Sequence, residues 1–159
     1  MSQRILTDES EANVLRMPPA GPEGTGSIYK ASYLEALRHK WIASEEAGCD
    51  LGEGAVAEWL KHHWQGWCRE RWLEHLMGRA RWLEFPAGEF AALKRNFRGS
   101  AGILNRVVEK ILMGAENLDI IIWASELSLD LTQVIDILVV ADINRPVLNN
   151  PRFLCRQAL

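Results

Sequence analysis

Cysteine is scarce in this chain: Cys49, Cys68 and Cys155 stand far apart, and no CxxC occurs. An odd, dispersed set supports neither a disulfide framework nor a thiolate zinc site, and it suits a reducing compartment. No run approaches the roughly 20 apolar residues that a membrane-crossing helix requires. The N-terminus, MSQRILTDESEANVLR, is too polar and acidic for a secretion signal. The expected location is therefore cytoplasmic, with no membrane partner. An excess of positive charge is missing as well. A net charge of −3 and a pI near 5.8 give the whole molecule no bulk attraction to nucleic acid or anionic lipid.

Catalytic signatures are also lacking. There is no GxSxG, no HExxH, no phosphate-cradling glycine loop and no CxxCH. Neither an enzyme nor a cofactor is expected. Tyrosine is nearly absent, at positions 29 and 33 alone, and phenylalanine appears four times, against seven tryptophans. Most of the tryptophans lie in the first half of the folded part, whereas Ile, Leu and Val dominate the second, which points to two sub-cores of different packing chemistry.

The chain divides into four parts. Residues 1–26 read as a disordered tail, because Pro18, Pro19, Gly21, Pro22, Gly24 and Gly26 break any regular element; at most a short helix precedes them near Asp8–Arg16. Residues 27–97 form a Trp-rich helical layer, residues 100–144 a tri-helical unit packed on it, and residues 145–159 an irregular tail. The fold class is all-α: a helical bundle with a long central helix.

Within the layer, residues 27–47 show Tyr29, Tyr33, Ala36, Leu37, Lys40 and Trp41 on one stripe of a 3.6-residue period, with Ser27 as N-cap and Gly48 as the stop. Asp50 and Glu53 have capping-box spacing for the next helix. That helix, 53–78, is the spine. It gathers Trp59, Trp64, Trp67 and Trp72, three of the four histidines, and the run Arg69, Glu70, Arg71, Glu74. A turn at Pro86–Gly88 leads into a shorter helix over 89–97. Beyond Gly99 the apolar pairs Ile103/Leu104, Val107/Val108 and Ile111/Leu112 recur one turn apart, a strong helix pattern. Two more helices follow at about 116–127 and after Asp130, which with Gln133 has capping-box spacing; Pro146 marks the end.

Residues 120–139 fit helix-turn-helix spacing, with Ala124 at the crossing, Ser128 in the turn, and Val134 and Ile137 turned inward. Reading DNA needs cationic or amide side chains on the second helix. From Glu116 to Asn144 there are six acidic residues and no basic one, so the spacing predicts a packing unit rather than a DNA reader.

Three readings of the central helix follow. On a helical wheel His63, Glu70 and Glu74 share a stripe beside Trp59 and Trp67, and an inward-facing trio of this kind is a candidate metal site. Against it, His63 and Glu70 stand about 10 Å apart along the axis, and no Glu-x-x-His occurs. His75 and Arg71 lie on the far flank with Trp64 and Cys68, where a cation could lower a thiol pKa. The plainer expectation is that Glu70, Glu74, Arg71 and His75 form ion pairs along a helix boundary, with His63 hydrogen-bonded in the core. The third reading is charge: Trp59–Arg98 holds eight Lys/Arg against four Glu, a local net of +4 among aromatic rings. Such a segment, Lys61–Arg98, suits single-stranded nucleic acid. Trp and Arg are equally the residues enriched at protein interfaces.

The expected function is a non-enzymatic protein-interaction module, an adaptor, accessory subunit or regulator that also self-associates as a homo-oligomer. Its binding residues would be Trp59, Trp67, Trp72 and Trp82 with Arg69, Arg71, Arg79 and Arg81. The alternatives are a nucleic-acid-binding accessory protein using 61–98 and a metal-binding protein using His63, Glu70 and Glu74.

Overall fold

A computed structural model of the chain describes residues 25–145. Almost all of the two expected tails, with the helix near Asp8–Arg16 and the stop at Pro146, lies outside the described residues. What is described is all-α, with six α-helices and one minimal strand pair. The helices are α1 (Ile28–Ala47), α2 (Glu53–Leu76), α3 (Ala92–Asn96), α4 (Ala101–Leu112), α5 (Asn117–Glu126) and α6 (Leu131–Ala141). The strands, β1 (Thr25–Gly26) and β2 (Arg81–Trp82), pair in parallel. The sequence carries no period-two pattern for them. They are two residues long and hold the entry to α1 beside the exit of α2.

The start of α1 is capped from far away in sequence. Ser27 has the expected N-cap position, but its hydroxyl donates to Glu84, and the Ile28 N–H donates to the other Glu84 oxygen at 2.8 Å. A carboxylate facing the first turn also complements the helix dipole. The buried stripe of α1 is Ile28, Ser32 and Ala36, not the predicted aromatic one. Small side chains let α1 lie close to α2, which displaces Tyr29, Tyr33 and Trp41 to the rim; Tyr29 stacks on Trp64 at 6.3 Å. Nor does the Asp50–Glu53 capping box form: Asp50 accepts from the Gly52 N–H and pairs with Lys40 at 3.7 Å.

The spine helix ends at Leu76, and Gly78 turns the chain at φ +70. A Cβ at that position would stand 2.8 Å from the Ala91 Cβ, so glycine is required by space as well as by backbone angle. The helix expected over 89–97 is broken in two. Ala91 adopts φ +59, and Arg95 donates to the carbonyls of Phe90 and Gly88, leaving a 3-10 turn at Ala87–Glu89 and the short α3.

The last three helices form the tri-helical unit with helix-turn-helix connection. Ala124 is fully buried where α5 meets its neighbours, Ser128 takes φ +54 in the turn, and Val134 and Ile137 are buried. Asp130 caps α6, accepting from the N–H groups of Thr132 and Gln133. Glu116 and Asp119 form a full capping box on α5. The two sub-cores expected from composition are in fact one: tryptophans of α2 and aliphatic residues of α4–α6 belong to a single buried cluster. Trp72 is the pin, its indole N–H donating to the Ala141 carbonyl at the end of α6, 2.7 Å away.

Candidate functional site

The sequence-derived interface residues are distributed differently from expectation. Trp59, Trp72 and Trp82 are buried in the chain's own core, and Trp67 is half-buried against it. Neighbouring rings stand 6.0–6.5 Å apart between Trp59, Trp64, Trp67 and Trp82, an intramolecular aromatic ladder. Trp59, Trp72 and Trp82 are not offered to a partner, because the core encloses their rings; of the tryptophans, Trp41 on the rim of α1 is the one that is largely exposed.

The arginines divide in two. Arg69 pairs with Glu116 of α5 at 3.1 Å, and Arg71 pairs with Glu70 and Glu74 while lying over the Trp67 ring. Arg69 thus ties α2 to the start of α5, whereas the partners of Arg71 all lie on α2 itself. Arg79 and Arg81 are exposed, as are Lys94, Arg95 and Arg98. Their aromatic neighbours Trp82 and Phe85 are buried, and Arg81 itself covers the Phe90 ring. Of the rings in the basic segment only Trp67, Phe90 and Phe97 reach the surface in part, and arginines cover the first two, which leaves little for bases to stack on.

The candidate metal trio does not converge. His63 and Glu70 are exposed, Glu74 is half-buried, and His63 packs against His39 with ring centroids 5.5 Å apart. The wheel placed these residues on one stripe, but α1 covers only part of that stripe and leaves His63 at its edge. Among the described residues no three His, Cys, Asp or Glu side chains stand close enough to hold a metal ion.

The histidine that is buried is His75, which the helical wheel placed on a flank. It is fully enclosed by Trp72, Phe85 and Phe90. Its Nδ1 accepts from the Trp82 backbone N–H at 3.3 Å, so Nε2 carries the proton and donates to the Pro86 carbonyl at 2.9 Å. That is the neutral tautomer, and burial lowers its pKa accordingly. The chemistry is structural: one imidazole satisfies two backbone groups of the 80s loop. Burial likewise pushes the Cys68 thiol up to about 12, overriding the nearby Arg71, so it is no activated nucleophile. Glu74 is raised above the ordinary carboxylate value by burial, with Arg71 and the Trp82 indole pulling the other way.

What the sequence reading missed lies on α5 and α6. Leu118 is 67% exposed and Val139 71%, with Ile122, Leu131 and Ile135 also open to solvent. Between the two helices runs a groove of about 490 Å³ lined by Asn117, Ile121, Ile135, Leu138, Val139 and Asp142. The exposed positions of α6 are those with which the second helix of a helix-turn-helix would face DNA, and apart from Thr132 they are apolar or acidic. A sequence signal existed. The runs IIIW and ILVVA are apolar on more of the helix than one core can cover, which marks a second apolar surface.

No helix among the described residues is long and apolar enough to cross a membrane. No family model matches the sequence, and neither a curated protein nor a solved structure matches it.

Proposed function

We propose that this protein is a non-enzymatic protein-interaction module, an adaptor, accessory subunit or regulator, and that its docking face is the α5–α6 groove rather than the tryptophan spine. One observation carries this: Leu131, Ile135 and Val139, three apolar side chains on one side of α6, are exposed, and the last two line a groove with Ile121 of α5. Scattered surface leucines need no explanation, but a contiguous apolar strip around a groove is a mark of an interaction site. Helix pairs commonly receive a partner in such a groove.

The test is photo-crosslinking in the cells that make the protein. A benzophenone amino acid replaces Val139 in one variant and the exposed Ala57 of α2 in another. A discrete adduct with another protein is expected from position 139 and none from position 57. Equal labelling from both positions, or none from 139, overturns the proposal.

A further inference from the structure

The charge around the groove defines what it can receive. At 100° per residue, Ile121 of α5 faces the groove with Asn117, Leu118 stands about 60° round at its lip, and Ile122 and Glu126 lie further round on the outer side of the helix. On α6 the order is Leu138, Asp142, Ile135, Val139 and then Asp136. The α6 side of the groove therefore carries exposed carboxylates, Asp142 in the lining and Asp136 beyond Val139, and no Lys or Arg occurs anywhere from Glu116 to Asn144. The acidic groups of this segment that are engaged elsewhere are Glu116, which pairs with Arg69; Asp119, which closes the α5 capping box; and Asp130, which caps α6. Glu126, Asp136 and Asp142 have no cationic partner among the described residues. The nearest cations of α4, Arg106 and Lys110, lie over the Trp123 ring, which points away from the groove on the helical wheel.

We infer that the α5–α6 groove takes an amphipathic helix of a partner protein, with an apolar ridge flanked by lysine or arginine. This rests on the reading of α5–α6 as a docking face. An apolar ridge fills the groove between two helices, and the flanking cations meet the acidic α6 rim, which selects among apolar partners more than it adds affinity. A second copy of this chain fits less well, because a two-fold contact through this face brings the same carboxylates together.

The test uses the full chain and two synthetic helical peptides of about four turns, one with leucine and lysine in amphipathic register and one with glutamate replacing lysine. Fluorescence anisotropy is expected to show binding of the lysine peptide alone, weakening as salt rises. Ile135→Ser with Val139→Ser should abolish it. Asp136→Asn with Asp142→Asn should weaken it about tenfold; asparagine keeps the left-handed cap conformation that Asp142 adopts. Glu45→Gln with Glu46→Gln, at the far end of α1, should leave it unchanged.

Equal binding of the two peptides, or equal weakening by the Glu45/Glu46 pair, overturns the inference while the docking face survives. So does a discrete adduct from position 139 when neither peptide binds. A dimer in sedimentation that Val139→Glu dissolves makes a second copy the occupant. An intramolecular link from position 139 into residues 146–159 makes the chain its own ligand, and either result also overturns it. Failure of the docking face itself is seen separately, as the missing adduct at 139.

Discussion

His75 shows how a single residue can carry a burial that neither its type nor its flank position announces. Held neutral by two backbone partners inside an aromatic cage, it ties stability to pH in a definite direction. Its folded-state pKa is below the ordinary 6.5, so as pH falls the unfolded chain takes up the proton first. Stability is therefore full above about 6.5 and drops as pH falls from there to the lowered folded value, below which the loss is complete. Glu74 acts in the opposite sense. Its raised value means that the folded form takes the proton first, so stability rises as pH falls from that value towards 4.5. Urea unfolding in a Glu74→Gln background isolates the histidine: we expect a lower midpoint at pH 5.5 than at pH 7.5. A flat profile would mean that His75 is not held neutral. The expected pairing of Arg71 with Glu74 does form, since residues three apart on a helix are neighbours; the pairing with Glu70 joins adjacent residues. It could not show which flank a second helix would cover, and that decided His63 against His75.

Among the elements, those with local causes were readable. The helix boundaries at Gly48 and Asp130 follow from a stop and a cap a few residues long, and the observed α1 ends and α6 begins there. Asp130→Ala removes the acceptor for two N–H groups of α6 and should cost about 1 kcal/mol, read as a lower midpoint in denaturant; no change would show that the α6 cap adds nothing. What was not readable has non-local causes. Glu84 caps α1 across 56 residues, the 89–97 helix is cut by a loop that Arg95 holds from behind, and the α1 stripe is set by the fit of Ser32 and Ala36 to a neighbour. The exposed apolar strip on α5 and α6 was legible in principle, but a helix rich in Ile and Val invites the assumption that all of it is core.

At the scale of the whole molecule, the Trp-rich layer and the tri-helical unit share one core, although their compositions suggest two. A few contacts join them: the Trp72 indole on the Ala141 carbonyl, Arg69 with Glu116, and Arg145, which pairs with Glu89 and lies over the Trp72 ring. Trp72→Phe deletes the first and leaves a buried carbonyl without its donor, a loss of about 1–3 kcal/mol. The wild-type chain should unfold in one transition when followed both by tryptophan fluorescence and by helical circular dichroism. In the variant, both midpoints should fall together. Separate transitions in the wild type would show that the two halves are energetically independent. The charge is unevenly spread along the chain: residues 59–98 hold eight Lys/Arg against four Glu, whereas residues 116–144 hold six acidic residues and no basic one.

The cap on α1 carries a consequence for the chain as it is made. Residue 28 leaves the ribosome long before residue 84, and until Glu84 emerges the first turn of α1 has neither its carboxylate nor the β2 strand beside it. The N-terminal helix thus waits, half-formed, for a residue translated dozens of codons later. Its completion and the closure of the 80s loop are one event in biosynthesis.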